Sequence, residues 1–177
     1  MSIRLVLGGA RSGKSSFAES LVVKSATQNS KARHYVATAQ PMDDEMRRRI
    51  AHHQFSRDDQ WQEHECPLAL PPLLTQFTEH DLVLVDCLTL WLNNVIYHRQ
   101  DEQDIEQAVK ALTNALNACH ADVVLVSNEV GLGVIPMGEE TRLFVDNAGW
   151  MNQAIAKIAD DVTFVAAGLP LALKGSL

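Results

Sequence analysis

The sequence is short of several things, and each shortage excludes a class of protein. Its 177 residues include three cysteines, Cys66, Cys87 and Cys119, and no C-x-x-C pair. So sparse and odd a set excludes a disulfide framework, and it fits small buried hydrophobes in a reducing compartment. Basic residues are outnumbered, with 15 Lys and Arg against 22 Asp and Glu, for a net charge of −7. That balance argues against a nucleic-acid partner, since such binding draws on a basic face that releases counterions. No stretch approaches the roughly 20 apolar residues of a membrane span. The apolar run beside Arg4 is too short for a signal peptide, so the expected location is the cytoplasm. The guanine-reading signature N-K-x-D is missing, and the one D-x-x-G, Asp146 to Gly149, falls inside a helical pattern. A regulatory GTPase switch is thereby excluded. There is no internal repeat, low-complexity tract or linker, so residues 1–177 read as one domain. A chain of this length buries about 70% of its unfolded surface, enough for one core.

What is present alternates between two periods. Ile3–Leu7 reads as a strand, followed by a glycine loop and a helix with Phe17, Ala18, Leu21 and Val22 on its apolar side. His34–Thr38 reads as a second strand. "MDDEMRRRIAHH" follows as a helix with acidic residues first and basic residues later, in line with the helix dipole. "WQEHEC" reads as a short strand, and Leu68–Phe77 as a short helix broken early by Pro71 and Pro72. Leu82–Val85 is apolar throughout, the pattern of a strand buried on both faces. A helix over 88–97 follows. Asp101 to Cys119 forms an amphipathic helix with a stripe of Ile105, Val109, Leu112, Leu116 and Cys119. Val123–Val126 is another buried strand. Phe144, Ala148, Met151, Ile155 and Ile158 mark the last long helix, and Val162–Ala166 the last strand. Alternating strands and helices with buried strands predict an α/β fold with a mostly parallel sheet flanked by helices. The connection "NEVGLGVIPMG" is the longest that bears glycine, and long loops in compact domains are often functional.

"GGARSGKS", Gly8 to Ser15, fits G-x-x-x-x-G-K-[ST] between a strand and a helix, the context that confirms a phosphate-binding loop. Gly8 and Gly13 let the backbone close around phosphate oxygens. Lys14 reaches the β- and γ-phosphates, Ser15 offers a hydroxyl to Mg²⁺, and the helix N-terminus adds positive potential. "LVLVD" ends in Asp86 at the carboxyl end of a buried strand, where a carboxylate can hold Mg²⁺ directly or through water. Cys87 sits beside it, but a buried thiol there is not expected to be catalytic. These motifs specify a nucleoside triphosphate with Mg²⁺ and leave the reaction open.

"RRRIAHHQFS" carries two adjacent histidines. Helical neighbours point about 100° apart, so His52 and His53 face differently. His53 falls on the side of Met46 and Ile50. His52 falls near Glu45, Arg48 and Arg49. A metal pair on a helix wants i, i+4 spacing, which these residues lack. Two readings stay open from the residues: ordinary surface and packing histidines, or a neutral imidazole at His52 that attacks a phosphate steadied by the arginines.

"GGARSGKS", "YVATAQPMDDEMRRRIAHHQ", "WQEHE", "LVDCLTLWLNN" and "VSNEVGLGVIP" occur here in one order. Together they resemble the bifunctional adenosylcobinamide kinase/adenosylcobinamide-phosphate guanylyltransferase family of cobalamin assembly, from about Leu5 to Lys174. The resemblance implies a RecA-like P-loop fold, a homo-oligomer with a trimer as the expectation, and two reactions. ATP or GTP phosphorylates the aminopropanol hydroxyl of adenosylcobinamide. GMP then passes from GTP to that phosphate through a guanylylated histidine, which matches His52. Nucleotide contacts carry over to Gly8, Gly9, Ala10, Arg11, Ser12, Gly13, Lys14 and Ser15. They also carry over to Ala37, Thr38, Ala39, His53, Gln54, Phe55, Ser56, Glu65 and Asp86, the last of which is Asp or Glu in the family. Glu129 of "NEVG" is a candidate for positioning metal, water or a base, or for a structural role. Trp91, Asn93 and Asn94 either line the substrate side or cap a helix. Two other readings compete: a P-loop small-molecule kinase without covalent histidine chemistry, and a non-catalytic nucleotide-binding subunit. Because the loop holds the β- and γ-phosphates, guanylyl transfer further requires His52 to come in line with the α-phosphorus and its pyrophosphate leaving group.

Overall fold

In the computed structural model the described residues are 1–40 and 58–176. Among them, seven strands form one sheet in the order β3-β2-β4-β5-β1-β6-β7. The strands are β1 Ile3–Gly8, β2 Ala32–Ala37, β3 Trp61–Glu65, β4 Asp81–Asp86, β5 Asp122–Asn128, β6 Asp161–Ala166 and β7 Leu169–Lys174. All neighbouring pairs run parallel except β6 and β7. The helices are α1 Lys14–Asn29, α2 Leu70–Leu74, α3 Leu88–His98, α4 Gln103–Ala118 and α5 Glu139–Ile158. The expected α/β class with a mostly parallel sheet holds. No helix among the described residues is long and apolar enough to cross a membrane.

Apolar side chains on both faces of the central strands explain why these runs are strands rather than helices. Val83 and Val85 of β4 join a core with Leu88, Trp91 and Leu92 of α3, Leu112 and Leu116 of α4, and Met151 and Ile155 of α5. Leu82 and Leu84, one residue out of phase, face Ala18, Val22 and Ala26 of α1 on the other side. A strand's period of two sends alternate side chains to opposite faces, so an unbroken apolar run is what a sheet covered on both sides requires.

Two expectations are corrected. Pro71 and Pro72 do not break α2; they lie in its first turn, where a missing N–H leaves no intrahelical bond unmade. Val162–Ala166 is not the last strand, because β7 pairs back onto it through the turn at Ala167 and Gly168. The helix expected over "MDDEMRRRIAHH" lies outside the described residues.

A buried polar cluster sits on the β2–β3 side of the sheet, away from the glycine loop. His34 of β2 places Nδ1 at 3.0 Å from His64 Nε2 and Nε2 at 3.0 Å from Asp81 Oδ1, with Phe77 against both rings. Burial and the neighbouring His34 hold His64 below the usual histidine pKa. Burial alone would raise the Asp81 carboxyl, but bonds from Thr78 and His34 outweigh it and hold it low.

Candidate active site

The parallel strands bring their carboxyl ends to one edge. There α1 leaves β1 on one face while α5 carries the chain from β5 across β1 to β6 on the other, the crossover geometry at which α/β sheets open a ligand crevice. β1 stops at Gly8, the loop runs through Gly13, and α1 starts at Lys14. At Gly8 a Cβ would lie 2.5 Å from both Ser12 Oγ and the Val165 carbonyl, so only glycine lets the loop close this tightly. Gly13 has φ of 91°, a left-handed conformation that favours glycine. Arg11, at the exposed tip, also has positive φ, 55°. Gly9 and Ala10 complete the curve, and the Ser12 N–H donates to the Gly9 carbonyl at 3.3 Å.

Lys14 is the buried charged group of this loop, only 9% exposed, whereas Arg11 is exposed. Its Nζ donates to the Gly9 carbonyl at 3.2 Å, so the side chain folds back across the loop it follows. Ser15 lies half-buried one residue on, in the first turn of α1. That turn has no acidic residue, which leaves its positive end uncompensated by its own side chains. The loop thus offers backbone N–H groups, a helix N-terminus and one ammonium to a polyphosphate.

Asp86 ends β4. It is in register with Val126 of β5, while Gly8 of β1 is in register with Asn128, so one strand separates carboxylate and loop, about 10 Å at standard spacing. Tyr35 Oη donates to Asp86 Oδ2 at 3.3 Å. The charges of Asp86 and Lys14 both reach the thiol of Cys87, which burial, then Asp86, pushes up to about 11. Ser15 and Asp86 supply oxygen donors, the type that Mg²⁺ prefers, with nucleotide phosphates and water left to complete its shell. Among the described residues no group of three or more His, Cys, Asp or Glu could hold a metal on its own.

Around this pair the remaining residues divide by what they touch. Ala37 lies in register with Asp86 on one side and Glu65 on the other, so the three share the sheet's carboxyl edge, with Glu65 exposed. Thr38 is fully buried; its Oγ1 donates to the Cys87 carbonyl at 2.7 Å and accepts the Cys87 N–H at 2.9 Å. Its side chain is therefore spent on clamping β2 to the end of β4, and Ala39 follows it along the edge. Glu129 donates its N–H to the Gly8 carbonyl at 3.1 Å, and its Oε1 accepts from the Gly131 N–H at 2.8 Å. The Glu129 carboxylate thus caps its own turn beside the loop.

The alternatives for "WLNN" separate by residue. The Trp91 indole is buried and donates to the Leu68 carbonyl at 3.0 Å. Asn94 Nδ2 donates to the carbonyls of Thr38 at 2.9 Å and Pro67 at 3.0 Å. Both are interior ties rather than helix caps. Asn93 alone is exposed, at the edge of a groove with Tyr97, Arg99 and Phe144. Sequence reasoning missed a buried network behind the site, in which Ser127 Oγ donates to Asn152 Oδ1 at 2.8 Å and the Asn128 N–H donates to Thr89 Oγ1 at 2.7 Å. Polar residues on three separate elements carry no signal of meeting. His52, His53, Gln54, Phe55 and Ser56 lie outside the described residues.

The fold has a solved counterpart in the flagellar accessory protein FlaH of Methanocaldococcus jannaschii, with a TM-score of 0.56 at 13% identity over 99% of this chain and 79% of that one. The likeness is one of fold, and it fits the expected RecA-like P-loop architecture of a mostly parallel sheet with the glycine loop between β1 and α1. Two relatives are much closer in sequence. The bifunctional adenosylcobalamin biosynthesis protein CobP of Pseudomonas aeruginosa is 49% identical over 97% of this chain and 96% of its own length. The bifunctional adenosylcobalamin biosynthesis protein CobU of Salmonella typhimurium is 38% identical over 96% and 98%. The model of a family described as cobinamide kinase/cobinamide phosphate guanyltransferase matches residues 4–173, from β1 through the phosphate loop and Asp86 to β7. The chain belongs to that family of enzymes.

Proposed function

We propose that this protein phosphorylates the aminopropanol hydroxyl of adenosylcobinamide with ATP or GTP and then transfers GMP from GTP to the new phosphate through His52. The observation that carries the reading is the cradle: Gly8 to Ser15 closed around a buried Lys14, with Asp86 one strand away on the same edge. In the kinase step the triphosphate lies in the loop with Lys14 against its β- and γ-phosphates. The substrate hydroxyl attacks the γ-phosphorus and loses its proton to solvent, the β–γ P–O bond breaks and the nucleoside diphosphate leaves, while Lys14 and the α1 N-terminus stabilise the charge that develops. Ser15 and Asp86 would hold Mg²⁺, which would further neutralise the phosphates.

In the second step the neutral imidazole of His52 attacks the α-phosphorus of GTP. A P–N bond forms, the α–β P–O bond breaks, and pyrophosphate leaves toward Lys14. The cobinamide phosphate then attacks the same phosphorus, breaks the P–N bond and restores His52. His53, Gln54, Phe55 and Ser56, with Ala37, Thr38, Ala39 and Glu65, contact the nucleotide in this reading. The match over both the phosphate loop and "AHHQFS" supports it. The protein also acts as a homo-oligomer, with a trimer expected. Leu169, Leu171 and Leu173, all exposed on edge strand β7, support a covered face there.

Lys14→Ala tests the shared cradle. The variant should fold, lose GTP binding, and lose both phosphorylated and guanylylated cobinamide products by 100-fold or more, as removal of one preorganised charge partner does. Product analysis by mass spectrometry reads both steps at once. Near-normal guanylyl transfer in a folded Lys14→Ala protein would show that the two reactions do not share the loop.

A further inference from the structure

The hairpin of β6 and β7 ends at the phosphate loop. The Gly168 N–H donates to the Ser12 carbonyl at 2.8 Å. A Cβ on Gly13 would come within 3.2 Å of Gly168 Cα, and one on Gly8 would collide with the Val165 carbonyl. Backbone therefore packs on backbone where Gly13 meets Gly168 and where Gly8 meets Val165. Ala167 and Gly168 both have positive φ, 52° and 78°, as the tight two-residue turn of a hairpin demands. The far end of β7 is fastened as well. Lys174 Nζ donates to the carbonyls of Ala156 and Lys157 at 3.1 and 3.2 Å, and also to that of Ala159, at the C-terminus of α5. Between these two anchors β7 buries little, since Leu169, Leu171 and Leu173 are 73%, 61% and 58% exposed. Within this chain, core burial does not account for the strand.

We infer that Gly168 is a positioning residue for the phosphate loop, and that the β6–β7 hairpin acts as a brace on the side of the loop away from the nucleotide. This rests on the proposed nucleotide-binding role of Gly8 to Ser15. A peptide unit is planar and almost always trans, so its C=O and N–H point in opposite directions. Holding the Ser12 carbonyl toward Gly168 turns the Gly13 N–H away from the hairpin. A glycine in a loop otherwise rotates its peptide freely, because it loses more conformational freedom on ordering than any other residue. The brace removes that freedom before a ligand arrives, and a preorganised donor binds phosphate without the cost of ordering.

Three substitutions at one position test the brace. Gly168→Val places a β-branched residue at a φ it rarely adopts and displaces the N–H. Gly168→Ala meets open space around its Cβ and suffers the backbone strain alone. Gly168→Asn tolerates the left-handed conformation and keeps the N–H in place. The Kd of Mg·GTP is measured by calorimetry on the full chain, with circular dichroism and a thermal melt to confirm that each variant is folded at the assay temperature. The expected order is a rise of about tenfold for Val, about threefold for Ala, and little change for Asn. A purely structural turn predicts instead that melting temperature falls while the Kd of the folded protein stays constant. Equal Kd values across folded variants overturn the brace; if Gly168→Val does not fold, equal values for Ala and Asn do so. Failure of the unsubstituted protein to bind Mg·GTP overturns the nucleotide reading itself, which is a different result.

Discussion

Cys87 follows the metal-candidate carboxylate directly, and a thiol in that place invites a catalytic reading that its surroundings refuse. Its side chain is 6% exposed, and burial and then the adjacent Asp86 push its pKa to about 11, although the charge of Lys14 pulls the other way. The nucleophile is the thiolate, so at pH 7 to 8 almost none of it is available. Burial likewise raises the thiols of Cys66 and Cys119. The native protein should therefore resist iodoacetamide at pH 8 over a period in which the unfolded chain takes up three labels, one for each of its cysteines. Intact-mass analysis reads the count. Rapid single labelling of the native protein at Cys87 would place a reactive thiol at the site and require a part for it in the chemistry.

Among the elements, α3 shows how adjacent identical residues do different work. Asn94 faces inward and holds two backbone carbonyls, one in the β2 edge and one before α2, whereas Asn93 faces solvent. Asn94→Leu leaves both carbonyls without that donor in a buried place, at a cost of roughly 2 to 3 kcal/mol. For a chain of this size that lowers Tm by roughly 4 to 12 °C, while Asn93→Ala should shift it by less than about 2 °C. Equal shifts in the two variants would contradict the assigned ties. The sequence shows where α3 lies, through its apolar period, but not which asparagine turns inward, because that depends on where β2 and α2 arrive. The same limit explains β7. "LPLALK" shows no polar–apolar alternation and carries a proline as its second residue, and the turn before it is Ala-Gly rather than Asn-Gly, so the hairpin signal is faint. The buried strands β1, β4 and β5 were legible for the opposite reason. Sheets covered on both faces demand unbroken apolar runs, and those runs stand out. Pro71 and Pro72 misled because proline opens a helix as readily as it ends one, and only the neighbours decide which.

At the scale of the whole molecule, one sheet gathers at its carboxyl edge residues spread across most of the chain: the loop at Gly8 to Ser15, Ala37, Glu65, Asp86 and Glu129. The phosphate loop and Asp86 were legible as short motifs because their chemistry fixes their spacing. The Thr38 clamp and the Ser127–Asn152 network were not, since they arise only when β2, α3, β5 and α5 meet. In the proposed reading, two reactions at this one edge need a nucleophile that reaches the α-phosphorus of a nucleotide whose outer phosphates lie against Lys14. The proposed nucleophile is His52, and where the GMP goes decides it. GTP labelled in the α-phosphate is incubated with the protein and Mg²⁺ in the absence of cobinamide phosphate, and the modified site is mapped by peptide mass spectrometry. The expected result is a GMP adduct on His52, labile to acid and stable to base, that disappears in His52→Ala while kinase activity persists. An adduct on His53, or one that survives in His52→Ala, would contradict it.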